Sequence, residues 1–141
     1  MNSKSRKNKI LFVKPPDRFL EDEFVYQQLG PHYLQSFLKQ YEIPSDILVL
    51  YEQSDVRNKR ESGEINEISL DDLNMLFLGV DGNSKDTAFD RNIFQNYDIV
   101  ALSVMSPQAT DAYLTSQLIN SLYPQITTVI GGSHPRYYQK Q

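Results

Sequence analysis

The segment 126–135 reads Ile-Thr-Thr-Val-Ile-Gly-Gly-Ser-His-Pro, an apolar β-branched run that ends in two glycines. Upstream, segment 98–107 reads Asp-Ile-Val-Ala-Leu-Ser-Val-Met-Ser-Pro. Such runs are typical of buried strands, and they predict strands at 98–103 and 127–130. Between them, Pro107 can open a helix that extends to about Tyr123. A strand, a helix and a second strand predict a parallel βαβ unit.

The first half of the chain repeats this alternation. Strands are expected at 10–13, before two prolines, and at 46–51. A helix should begin near Gly30-Pro31 and bury one apolar face, formed by Leu34, Phe37, Leu38 and Tyr41. The order predicts an α/β fold: a flavodoxin-like or Rossmann-like, doubly wound parallel sheet with three α/β/α layers.

The remaining segments are predicted from composition and capping signals. Residues 1–8 should form a disordered basic tail, and residues 52–68 an exposed loop or insertion, because both are polar and charged. Ser69 is an N-cap candidate for a short helix over 70–78, although 75–80 could instead be a strand. A second short helix is expected at 87–97, with Phe89, Ile93 and Phe94 inward. Since only nine residues follow Gly132, we expect an α/β domain over 9–141 whose C-terminal part is incomplete.

Composition excludes several functional classes. The chain of 141 residues has a net charge of −4, which argues against nucleic acid as the main partner. It holds no cysteine, so thiolate metal sites, disulfides and cysteine nucleophiles are excluded. No run of about twenty apolar residues and no signal peptide is visible, and we expect a cytoplasmic protein without a membrane partner.

The ends of the predicted strands carry the candidate binding residues, because ligands of open α/β sheets bind beyond the carboxyl ends of the strands. Glycines at 131 and 132 would let a ligand approach the backbone closely. Ser103 could donate a hydrogen bond to a ligand or cap a helix, and capping is favoured for Ser106. His134 could ligate a metal or act as a base, but a lone loop histidine more often only forms hydrogen bonds. His32 should be exposed.

Known phosphate and metal signatures are missing from the first strand–helix turn. This turn reads Lys14-Pro15-Pro16-Asp17, with none of the glycines of a dinucleotide fingerprint or a P-loop. It also lacks the acidic pair with which a receiver domain would hold Mg²⁺. No Ser/His/Asp arrangement is visible, so a nucleotide-binding enzyme is the weakest of the interpretations.

Four segments, in order, resemble the cobalamin-binding domain of class B radical SAM enzymes. Lys-Pro-Pro at 14–16 is similar to that family's Asn-Pro-Pro, and 30–38 is similar to the start of its first helix. Segment 98–108 resembles its D-I-V-G-I-S-x-M-T-P-Q element, and 129–135 resembles its V-x-G-G-x-H-P turn. The resemblance extends over residues 9–138, with a divergent stretch at 52–96.

The resemblance implies a domain that binds a corrinoid, cobalamin, at the edge of its sheet. The implied cofactor-binding residues are Pro15, Pro16, Ser103, Val104, Met105, Ser106, Gly131, Gly132, Ser133 and His134. Among these, Ser103, Met105, Gly131 and Gly132 match positions that line the pocket for the dimethylbenzimidazole tail. The resemblance further implies a downstream radical SAM domain, expected beyond Gln141, that would hold a [4Fe-4S] cluster and S-adenosylmethionine. The parent reaction would be methyl transfer or ring formation, as in anaerobic Mg-protoporphyrin monomethyl ester cyclases.

Two departures from the related cobalamin domains keep an alternative open. The D-x-H-x-x-G motif, which supplies a histidine lower ligand in other cobalamin domains, is absent, and no cluster-binding cysteines are present. Catalysis therefore cannot reside in these 141 residues. The alternative is a degenerate α/β module that serves protein interaction without a cofactor. A pocket filled by side chains at the ends of the first, third and fourth predicted strands would favour it.

Overall fold

The computed structural model describes residues 9–16, 29–65, 69–79, 84–104 and 108–132. It has six strands and three α-helices in an α/β arrangement. The elements in chain order are β1 (Ile10–Lys14), α1 (Leu29–Lys39), β2 (Ser45–Glu52), α2 (Ser54–Glu61), β3 (Leu73–Leu78), β4 (Ser84–Ala88), β5 (Ile99–Ser103), α3 (Ala109–Leu122) and β6 (Thr127–Gly131). Short 3₁₀-helices occupy Leu70–Asp72 and Arg91–Asn96.

One six-stranded mixed sheet organises the chain, in the order β4-β3-β2-β1-β5-β6. The four strands predicted from sequence, β2, β1, β5 and β6, are parallel neighbours. The prediction of a wholly parallel sheet is wrong, because β3 and β4 are antiparallel and extend the sheet beyond β2.

The two faces of the sheet have separate cores, because successive side chains of a strand point to opposite faces. Leu11, Val13 and Leu102 lie on the face covered by α3, where Phe94 is fully buried. On the other face, Phe12, Ile47 and Val49 pack with Leu38 of α1. Helices therefore lie on both faces of the sheet.

The segment predicted as a loop, 52–68, contains helix α2. Its sequence is strongly polar, which is why composition pointed to a loop. Two contacts hold it to the sheet: Val56 is buried, and Arg60 donates two hydrogen bonds of 2.9 Å to the Glu52 carboxylate. Most of the outward side chains of α2 remain exposed.

The short helix expected over 70–78 is replaced by a 3₁₀ turn and a strand. Ser69 does accept a hydrogen bond from the Asp71 N–H, which confirms the predicted cap. The following residues form β3, close to the alternative strand at 75–80, because its Leu73 and Met75 alternate with partly exposed neighbours. The helix expected at 87–97 is confined to the 3₁₀-helix 91–96.

The apolar face predicted for α1 is largely unburied. Leu38 packs on the sheet, whereas Leu34, Phe37 and Tyr41 are exposed. His32 is exposed, as expected. No helix in the described part of the chain is long and apolar enough to cross a membrane.

A buried hydrogen bond joins β2 to the segment just before β5, at the amino edge of the sheet. The Tyr97 hydroxyl donates to the Asp46 carboxylate at 2.7 Å, and the Lys9 ammonium lies 3.7 Å from the same carboxylate. Burial first, and then the hydrogen bond to Asp46 and its negative charge, raise the pKa of Tyr97 above its ordinary value. The phenol is therefore held in its neutral form.

We expect Tyr97→Phe to lower the free energy of unfolding by about 1–2 kcal/mol at pH 7, since Asp46 loses its buried donor. Because the folded pKa is raised, the contribution is fully present below the unfolded pKa, near pH 10, and is lost as pH rises above it. Urea unfolding from pH 7 to 11 should show the two proteins converging in stability at alkaline pH. Tyr123→Phe, which removes an exposed hydroxyl bonded to Asn92, is the matched control. A constant difference across this range would contradict the role of Tyr97.

Candidate functional site

The carboxyl ends of β1, β5 and β6 meet at one edge of the sheet. The strands are parallel and paired in register, so Val13 lies beside Leu102, and Ser103 lies beside Gly131. One further hydrogen bond, from the Val104 N–H to the Gly131 carbonyl at 2.9 Å, continues the pairing past the ends of the strands. The structure thus brings Ser103, Val104, Gly131 and Gly132 together at the ends of β5 and β6.

Gly131 and Gly132 differ in what surrounds them. A Cβ at Gly131 would meet no atom within 4 Å. A Cβ at Gly132 would lie 2.6 Å from the Val104 carbonyl oxygen, and Gly132 has a φ of +94°. The chain itself therefore requires glycine at 132, because no other residue fits that conformation and contact. Only Gly131 has space in front of it for a ligand.

The other predicted site residues differ in exposure. The Ser103 side chain is exposed, whereas Val104 is buried and packs in the core. Pro15 and Pro16 are both buried, so they shape the end of β1 rather than present a surface. Met105, Ser106, Ser133 and His134 lie outside the described residues.

Buried polar side chains at the end of β1 were not identified from the sequence. Lys14 is 5% exposed, and its ammonium donates to the Pro15 carbonyl at 3.3 Å. The Gln108 amide, at the start of α3, donates to the same carbonyl at 3.2 Å. Asp111, one turn further along α3, is also buried. A lysine directly after an apolar strand was the only available signal, and it did not indicate burial.

This end of the sheet thus has two parts with different properties. The ends of β5 and β6 offer an exposed hydroxyl beside an open glycine. The end of β1 is filled by the buried side chains of Lys14 and Gln108. Polar and charged side chains are costly to bury unless they are hydrogen-bonded, and in the structure Lys14 and Gln108 both donate hydrogen bonds to the Pro15 carbonyl.

No family model, curated protein or solved structure gave a significant match to this chain.

A separate depression lies on the α3 face of the sheet, with a volume of about 530 Å³. Its walls include Leu70, Leu114 and Leu118, and the exposed ion pair of Arg91 with Asp71 stands at its rim, at 2.9 Å. None of the described residues that were predicted to bind a cofactor lines it. Within the described ranges, no group of three or more histidine or acidic side chains is arranged to hold a metal ion.

Proposed function

We propose that this domain binds a corrinoid at the carboxyl ends of β5 and β6. The observation that carries the proposal is the pairing of exposed Ser103 with Gly131, which has no atom within 4 Å of its missing side chain. The order β2-β1-β5-β6 supports it, because it matches the 2-1-3-4 order of flavodoxin-like sheets, whose ligands bind at this edge. The resemblance of segments 98–108 and 129–135 to cobalamin domains supplies the class of ligand.

In this proposal, the exposed Ser103 and the backbone at Gly131 would hold the nucleotide tail of the corrinoid, with Ser103 as a hydrogen-bond donor. A bound cobalamin would supply a cobalt-centred methyl carrier. The chain's own residues would bind and orient it, and they would exclude water from the buried end of the tail. The parent reaction, methyl transfer or ring formation with a radical SAM domain, belongs to the same proposal.

Hydroxocobalamin titration is the direct test. We expect a change in the visible spectrum of the corrinoid and one corrinoid retained per chain after gel filtration, with a dissociation constant at or below tens of micromolar. Human serum albumin at the same concentration controls for non-specific retention. Corrinoid that elutes fully separated from folded protein at 100 μM would contradict the proposal.

A second candidate function is a protein-interaction module without a cofactor. The observation that favours it is the filled end of β1, where Lys14 and Gln108 are buried and both donate hydrogen bonds to the Pro15 carbonyl. If this function is correct, the unmodified chain retains no corrinoid after gel filtration. The titration therefore separates the two functions.

A further inference from the structure

Three segments of the chain border the depression on the α3 face of the sheet: helix α3, the turn at Leu70–Asp72 and the 3₁₀-helix Arg91–Asn96. We call it the α3 depression. Its volume of about 530 Å³ is within the range of small-molecule sites, about 300–1,000 Å³. Such sites combine an apolar surface with a few polar groups that fix the orientation of the ligand, and the α3 depression has both.

Contacts between the three segments hold the borders of the α3 depression in place. The Tyr123 hydroxyl, at the end of α3, donates to the Asn92 side chain at 3.1 Å. The Arg91 guanidinium donates to the Asp71 carboxylate at 2.9 Å and so joins the 3₁₀-helix to the turn. The turn is tied to the end of β2 by a hydrogen bond from the Gln53 N–H to the Asp72 carbonyl at 3.1 Å. The site is therefore preformed.

Leucines form the apolar part of the lining. Leu70, Leu114 and Leu118 are all half-buried, and Leu70 and Leu118 also pack against the core of this face. Leu114 and Leu118 are neighbours on α3, because residues four positions apart lie on the same side of a helix. An apolar group of a ligand would remove the exposed part of these side chains from water, which is favourable.

Two opposite charges lie side by side in the same lining. Within the part of the chain that the structure describes, the bond between Arg91 Nη2 and Asp71 Oδ1 is the only side-chain hydrogen bond of either residue. A guanidinium has five N–H donors, and a carboxylate accepts at two oxygens. Arg91 thus keeps donors, and Asp71 keeps an acceptor, for a ligand that carries both charges.

This pair of charges discriminates between classes of ligand. A carboxylic acid without an amine would bring a second carboxylate beside Asp71, and an amine without a carboxylate would bring a second cation beside Arg91. Both approaches meet a repulsive like charge. A zwitterion offers a carboxylate to Arg91 and an ammonium to Asp71, so each of its charges meets the opposite one.

We infer that the α3 depression binds a free α-amino acid with a large apolar or aromatic side chain. Arg91 holds the α-carboxylate by charge-assisted hydrogen bonds, Asp71 accepts from the α-ammonium, and the three leucines contact the side chain. The exposed Gln117 and Ser121 add neutral hydrogen-bonding groups to the lining. The α3 depression shares no described residue with the proposed corrinoid site, so this inference does not depend on that proposal.

The exposure of the charged pair sets the expected affinity. The side chains of Arg91 and Asp71 are 48% and 71% exposed, so water screens their contacts with a ligand. We therefore expect a dissociation constant of about 1 mM or somewhat below for L-phenylalanine. This affinity is suited to a metabolite that is abundant in its surroundings.

Titration of the ¹⁵N-labelled full chain with L-phenylalanine up to 10 mM, followed by NMR, tests the inference. We expect saturable shifts of the backbone amides at 69–71, at Arg91 and at 114–121. Phenethylamine and 3-phenylpropanoate, which each lack one of the two charges, should bind at least about fivefold more weakly. The absence of saturable shifts at 10 mM would overturn the inference, as would equal affinity for any of these three compounds.

Arg91→Gln and Asp71→Asn should each weaken the binding of L-phenylalanine by at least about fivefold. Arg57→Gln is the matched control, because the ion pair of Arg57 with Glu61 lies on α2, outside the lining of the α3 depression. It should leave the affinity unchanged, and equal effects of Arg57→Gln and Arg91→Gln would contradict the assigned contacts. The dispersion of the NMR spectrum checks that each variant is folded. Hydroxocobalamin retention by Arg91→Gln reports separately on the proposed function.

Discussion

Gly131→Val should remove corrinoid binding and leave the protein folded, whereas Gly132→Val should lose most of its stability. At Gly131 the new side chain enters open space, where it would block the ligand. At Gly132 even a Cβ meets the Val104 backbone at 2.6 Å, and the φ of +94° adds strain. We expect a loss of about 3 kcal/mol or more in the free energy of unfolding at 132, and below about 1 kcal/mol at 131.

Urea unfolding and hydroxocobalamin titration of both variants make this comparison. Gly63→Ala serves as a control, because Gly63 also has a positive φ but has no atom within 4 Å and lies far from the sheet edge. This variant should lower the free energy of unfolding only by the cost of the positive φ, without any clash. Wild-type corrinoid affinity in Gly131→Val would contradict the site at β5 and β6, and full stability of Gly132→Val would contradict the close contact with Val104.

Arg60→Ala should destabilise the protein by about 2–4 kcal/mol. The Glu52 side chain is completely buried, and Arg60 holds its two oxygens in a paired contact at 2.9 Å. Removal of the guanidinium leaves a buried carboxylate without this partner, and that cost exceeds the loss of the contact itself. Thermal and urea unfolding at pH 7 measure the effect.

Arg57→Ala is the matched control on the same helix. Arg57 pairs with Glu61 at 3.4 Å, and the Glu61 side chain is 60% exposed, so solvent screens this pair. We expect a loss below about 1 kcal/mol. Equal effects of the two substitutions would show that Glu52 does not depend on Arg60.

The four parallel strands could be predicted because each contains an apolar run. Such a run indicates a strand without any knowledge of the neighbouring strands. The edge hairpin was not predictable by the same signal. β4 reads Ser-Lys-Asp-Thr-Ala, which lacks apolar alternation, and pairing with β3 alone makes it a strand. Helix α2 was not predicted for a related reason: it contacts the sheet through the Arg60–Glu52 ion pair and the buried Val56, and it has no apolar face.

The candidate site, like the fold, was predictable only in part. The positions of Ser103 and Gly131 follow from the strand ends, since parallel strands in register bring their ends together. Gly132 differs from Gly131 because its backbone lies close to the backbone of Val104. No sequence pattern indicates such a contact. The burial of Lys14 could not be predicted either, because its partner is a backbone carbonyl, that of Pro15, and the Gln108 amide that shares this carbonyl lies far along the chain.

The hairpin of β3 and β4 makes the two margins of the sheet chemically unequal. At one margin, β4 presents Ser84, Lys85 and Asp86, all exposed, and charged edges of this kind discourage the addition of strands from other molecules. At the other margin, β6 presents threonines and Val129. The charges of β4 therefore disfavour the addition of a strand beside it, whereas the described residues of β6, Thr127–Gly131, carry no charge that would do so.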